Sequence, residues 1–109
     1  MKVVFHPDAE AELGDLPTRE KVAVDNVVEK LKALGTQLGY PHCSAVQGAE
    51  KLRELRPRSG RSPWRAFYRR VSDVIVIASI GPEAKVDRKG FDAAVRKAER
   101  RLAELEEEE

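Results

Sequence analysis

The spacing of apolar residues changes several times along the chain, and each change marks an element. Val3-Val4-Phe5 is a short, largely β-branched run that predicts a first strand over 2–5. His6-Pro7-Asp8 then opens a short helix, with Pro7 in the first turn and Asp8, Glu10 and Glu12 near the positive end of its dipole. Ala9, Leu13 and Leu16 recur at helical spacing, and Gly14 with the Leu16-Pro17 step ends the helix. Thr18 is placed to cap a longer helix whose core stripe is Val24, Val27, Val28, Leu31, Leu34 and Leu38, with Gly35 as its C-terminal stop. Residues 39–50 read as a loop. Three strands follow, Lys51–Arg56, Trp64–Val71 and Val74–Ile80, joined by turns short enough to require antiparallel hairpins. After Gly81-Pro82, a basic loop with Lys85, Arg88 and Lys89 leads to a last helix striped by Phe91, Ala94, Val95, Ala98, Leu102 and Leu105.

The order β-α-α-β-β-β-α predicts an α+β fold: a small, mostly antiparallel four-stranded sheet with the helices on one face and the other face open. Strand alternation then sorts the side chains. With Leu55 toward the helices, Glu54 and Arg56 point the opposite way. Trp64, Ala66 and Tyr68 share the helix side, and Arg65, Phe67 and Arg69 share the other. Burying unpaired guanidiniums costs several kcal/mol each, so the arginine side is expected outward, gathering Glu54, Arg56, Arg65 and Arg69 on one open wall.

Length and composition narrow the class. A chain of 109 residues, 41% hydrophobic and 36% charged, is expected to form one domain over 1–109. Its longest apolar run, Val74–Ile80, is far below the roughly 20 residues of a membrane span, and no signal peptide is evident, so a soluble cytoplasmic protein without a membrane partner is expected. Cys43 is the only cysteine, which fits a reducing compartment, and with only His6 and His42 beside it no zinc site is expected and no cofactor is implied. The acidic run Glu106–Glu109 opposes the helix dipole and is expected to fray.

Charge changes the picture most. The near-neutral total hides eight cations between Lys51 and Arg70 against the single anion Glu54, flanked by mildly acidic segments. Seven of the eight are arginine, whose planar fork suits phosphate. This is a candidate footprint for a polyanion, with an ordinary solvated cationic face as the plainer alternative.

Leu52-Arg53-Glu54-Leu55-Arg56, the Gly60 turn and Arg65-Ala66-Phe67-Tyr68 resemble the "LWELR … RVFY" pattern of phage-derived, HigB-type toxins of the RelE superfamily. The apolar strand ending at Gly81, the basic loop and the amphipathic last helix continue the resemblance, as does the segment Leu31 to Pro41. The resemblance implies the toxin of a type II toxin–antitoxin system: a ribosome-dependent endoribonuclease that cuts mRNA, held inactive by a cognate antitoxin, a helix-turn-helix protein. It places the catalytic roles on Glu54, Arg56, Arg65 and the loop around Lys85. The chain departs from the pattern in two respects: Glu83 and Ala84 stand where some members carry paired lysines, and Phe91 where others carry a proton-relaying side chain.

The residues themselves allow this chemistry without a metal. Cleavage of RNA by its own 2′-OH needs a base, stabilisation of charge on the non-bridging oxygens, and an acid for the leaving 5′ oxygen. Arg56 and Arg65 suit the stabilising role, and Glu54 is the one candidate base. As the one anion among these cations, Glu54 serves as readily as an ion-pair organiser of Arg56 and Arg65. Lys85 is either a general acid or a phosphate grip. Arg58, Arg61, Arg69 and Lys89 supply further RNA contacts, and Phe91 can stack on a base. Two other functions share the fold: a ParE-like inhibitor of DNA gyrase without enzymatic activity, and a degenerate module that binds RNA or antitoxin without cutting. The Glu54/Arg56/Arg65 set favours cleavage.

Overall fold

The local signals act largely where the sequence puts them. In a computed structural model that describes residues 1–108, the chain forms β1 (Lys2–Phe5), α1 (Pro7–Gly14), α2 (Thr18–Leu34), β2 (Cys43–Ala45), β3 (Arg53–Leu55), β4 (Trp64–Val71), β5 (Val74–Pro82) and α3 (Arg88–Glu108), with 3₁₀ turns at Gly35–Gln37 and Pro57–Gly60. His6 caps α1 through Nδ1, which accepts the Asp8 N–H at 3.1 Å. Thr18 is not the cap of α2 but its first residue; Pro17 precedes it. Gly35 stops α2 with a positive φ of 54°. Within the expected stripe, Val24, Val27, Val28 and Leu31 are buried, whereas Leu34 is half exposed. Helix α3 runs to Glu108, and the Glu106 carboxylate meets Arg69 at 3.3 Å; Glu109 lies outside the described residues.

The sheet differs from expectation in three ways. It has five strands, in the order β1-β5-β4-β3-β2, because Cys43–Ala45 within the expected loop pairs antiparallel with β3. It is mixed: β1 runs parallel to β5, from Lys2 opposite Val74 to Phe5 opposite Ile77. Its helices cover both faces. On one side α1 and α2 pack Val24, Val27, Val28 and Leu31 against Leu55, Ala66, Tyr68, Ile75 and Ile77. On the other side α3 packs Ala94, Ala98 and Leu102 against Leu52, Phe67, Val71, Val76 and Ala78. The face expected to be open carries Phe67 between its two arginines, fully buried, and an apolar ring there requires a cover. No helix among the described residues is long and apolar enough to cross a membrane.

Two details of β5 set the height of α3. A bulge opposite Phe67/Tyr68 presents both Ala78 and Ser79 to the helix, and Ser79 Oγ donates to Ala94 O at 2.7 Å. At Gly81 an added Cβ would fall 2.4 Å from the Ala94 Cβ. Only glycine lets the start of α3 come down on the end of β5.

Since β1 stops at Phe5, the edge of β5 beyond Ile77 loses its strand partner, and a charged pair replaces it. Glu12 Oε1 accepts the Ile80 N–H at 3.0 Å, while Arg101 Nη1 donates to Ala78 O at 2.8 Å and Nη2 to Glu12 Oε2 at 2.9 Å. Burial would raise the Glu12 carboxyl, but hydrogen bonds from Arg101 and the Ile80 N–H outweigh it and hold the group below the usual 4.5. A depressed carboxyl stabilises the fold fully above its ordinary value, and that contribution is lost as pH falls through the lower folded value. Arg101→Met is expected to cost about 1.5–3 kcal/mol in denaturant unfolding at neutral pH. The wild-type chain should lose stability more steeply than the variant as pH falls below 4.5.

Candidate functional site

The end of β3, the start of β4 and the end of β5 lie side by side, with Arg65 opposite Gly81 and Glu54 opposite Phe67. The close approach at Gly81 brings the first turn of α3 over this corner, where Phe91 meets Phe67 edge-on at 5.3 Å between ring centroids. The result is a cleft of about 450 Å³. Glu54, Arg56 and Arg65 form one side, and Glu83, Lys85, Arg88 and Phe91 the other; Val46, Gln47 and Gly60 complete it.

Arg65 is not on an open wall. Its side chain is 3% exposed, and protein groups take up its donors. Nη1 donates to Ser62 O and Trp64 O at 2.7 and 2.8 Å, and Nη2 to Gly60 O at 3.3 Å and to the Glu83 carboxylate. Nε lies 3.7 Å from Glu54 Oε1. Burial lowers the Arg65 pKa, and Glu83 and Glu54 oppose that shift by favouring the charged form. A guanidinium is tolerated here because two carboxylates and three carbonyls replace its water. It thereby ties Glu54 on β3 to Glu83 at the base of the loop that carries Lys85. The Glu83 N–H also donates to Pro63 O at 2.8 Å, so this residue is tied at both ends to the approach to β4.

Glu54 accepts its hydrogen bond through one oxygen. Oε1 accepts from Ser44 Oγ at 3.2 Å and lies 3.7 Å from Arg56 Nη1 and from Arg65 Nε; Oε2 accepts no hydrogen bond from protein among the described residues. Arg56 donates from Nε to Pro41 O at 3.2 Å and sits 5.0 Å from the centroid of the Tyr40 ring. Gly60, at φ 93°, makes room for it: an added Cβ would lie 2.4 Å from Arg56 Nη2. Lys85 is exposed, with no carboxylate in ion-pair range among the described residues. Arg88 pairs with Asp92 at 3.3 Å and lies over Phe91 at 5.6 Å.

Of the residues singled out by sequence, Glu54, Arg56, Arg65, Lys85 and Phe91 therefore meet in one cleft. Arg58 and Arg61 lie beyond Arg56, on and just after the second 3₁₀ turn, and Arg58 is paired with Glu20 at 2.9 Å. Arg69 does not join the group. It shares the sheet face with Arg65 but lies at the other end of α3, bonded to Glu106 and Glu50 O. Lys89 is exposed on the first turn of α3, outside the cleft lining. Trp64 and Tyr68 face α1 and α2, as alternation requires. Cys43 is buried and donates to Leu38 O at 3.2 Å. Sequence reasoning missed Glu83 as a partner of Arg65. The available signal was an acid just past the strand that pairs with β4.

A mixed five-stranded sheet flanked by α1 and α2 on one face and α3 on the other, with this cleft at its corner, defines a RelE-like α+β domain. The chain belongs to the phage-derived Gp49-like protein family, a family of RelE/HigB-like toxins, whose model matches residues 11–103. Among solved structures, a double-arginine mutant of the E. coli toxin RelE in its free state superposes with a TM-score of 0.62. That match covers 87% of this chain and 94% of the other at 14% identity, which establishes the shared fold. No curated protein matches the chain significantly in sequence.

Arg65→Glu is expected to abolish the cooperative melt, since it buries a third carboxylate beside Glu54 and Glu83. Arg65→Ala is expected to cost about 3–5 kcal/mol by leaving those acids uncompensated. Lys85→Glu, on an exposed side chain, should melt like the wild type in the same circular-dichroism measurement.

Proposed function

We propose that this protein is the toxin of a toxin–antitoxin pair and that it cleaves mRNA on the ribosome, with the scissile phosphate held in the cleft between Glu54/Arg56 and Lys85. The observation that carries the reading is the arrangement of Glu54. One carboxylate oxygen is anchored by Ser44, Arg56 and Arg65, and the other accepts no hydrogen bond from the described residues, in a cleft also lined by the unpaired Lys85. In this reading Glu54 Oε2 takes the proton of the 2′-OH, and the 2′ oxygen attacks phosphorus. The 5′ oxygen leaves with a proton from Lys85. Arg56 stabilises the charge that gathers on the non-bridging oxygens. Arg65, with its donors committed to protein groups, keeps Glu54 in place. Phe91, held against Phe67 at the cleft's edge, offers a ring face to a base. So few proton-carrying groups make a slow catalyst alone, and a ribosome that orients the strand supplies the missing positional advantage. Family and fold support a toxin restrained by an antitoxin; a cytoplasmic location and a helix-turn-helix antitoxin complete the proposal.

Induced expression is expected to arrest growth and to leave new 5′ ends inside translated codons, mapped by primer extension. Arg56→Ala should lower the cutting rate by about 10²–10³, the usual loss when one donor to a developing oxyanion is removed. Arrest with induction of the DNA-damage response and intact mRNA would instead indicate gyrase as the target, and growth without arrest a binding module.

A further inference from the structure

Arg56 belongs to two cavities. Behind the cleft, between α2 and the Pro57–Gly60 turn, lies a second pocket of about 230 Å³. Its charged and polar lining includes Asn26, Lys30, His42, Arg56, Arg58 and Arg61, with no aspartate or glutamate. Arg58 is neutralised by Glu20, but Lys30 and Arg61 have no carboxylate in ion-pair range among the described residues. The turn that forms the rim is strained. Arg58 and Ser59 both take positive φ, 53° and 58°, in the left-handed region that side chains disfavour. It is held there from α2, where Glu20 grips Arg58 and accepts from Ser62 Oγ at 2.7 Å. Tyr40, 75% exposed, lies beside the guanidinium of Arg56, the residue common to both cavities. An exposed ring next to converging cations is the usual composition of a single-strand track.

We infer that the pocket between α2 and the Pro57–Gly60 turn is a second phosphate subsite, taking a backbone phosphate of the same RNA strand whose scissile phosphate lies in the cleft. The identity of the strand rests on the function proposed above; the subsite rests on the acid-free lining, the strained rim and the shared Arg56.

The test is fluorescence anisotropy of the full chain with a fluorescein-labelled 2′-O-methyl RNA tetranucleotide, which the 2′ oxygen cannot cleave. Lys30→Glu and Arg61→Glu are each expected to weaken binding about tenfold or more and to flatten the dependence of log K on log salt by about one unit. Lys32→Glu, on the same helix but paired with Glu29 at 3.0 Å and outside the pocket, should bind like the wild type. Both test variants should keep the wild-type melt, because Lys30 and Arg61 are exposed. Equal binding by all four proteins would overturn the inference. So would equal displacement by inorganic phosphate or a polyglutamate peptide at matched charge, since the pocket would then be a general anion site or a protein contact. Binding that depends on Lys30 and Arg61 without mRNA cutting on expression would leave the subsite standing and remove the nuclease reading. Cutting by wild type and both variants alike, with unchanged binding, would remove the subsite alone.

Discussion

A buried guanidinium between two carboxylates governs this corner of the molecule. Arg65 sits at the start of a central strand, under the first turn of α3, where water cannot solvate it. A charge in that position survives only when opposite charges and carbonyls replace its hydration. Glu54 comes from β3, Glu83 from the loop after β5, and the carbonyls of Gly60, Ser62 and Trp64 from the approach to β4. One side chain thus joins the end of β3, the approach to β4 and the loop after β5, and the cleft is the space around that joint.

The cations around this joint divide by role. Cations satisfied from within the protein, Arg65 and Arg58, shape the surface, because their donors are committed to carboxylates and carbonyls. Cations left at the rim, Lys85, Lys30 and Arg61, keep their attraction for an outside anion. Arg56 lies between these groups. It touches Glu54, Pro41 and Tyr40, yet it lines both cavities. Gly60 leaves room for its guanidinium, and Gly81 lets α3 approach β5.

Much of this was legible from residue pattern. Strand phase put Leu55, Ala66 and Tyr68 on one face and Glu54 with Arg65 on the other, and the structure keeps that division. The open wall failed because Phe67 shares a face with Arg65, and the helix able to cover it was assigned to the opposite side. Glu83 had looked like a missing lysine; it is the carboxylate that allows Arg65 to be buried. Strand β2 carries no periodic signal, since a three-residue edge strand exists only by pairing with β3.

Sequence alone determined the three helices and four of the five strands in order, the ends set by Pro7 and Gly35, the faces of the residues on β3 and β4, and the concentration of arginine between Lys51 and Arg70. These follow from local stereochemistry and period, which act over a few residues. Tertiary structure decided which face α3 covers, that β1 runs parallel to β5, and which arginines are spent on internal carboxylates rather than left for a ligand. Those outcomes depend on contacts between residues far apart in the chain, where burial and charge compensation act across the folded whole and leave no mark on neighbouring residues.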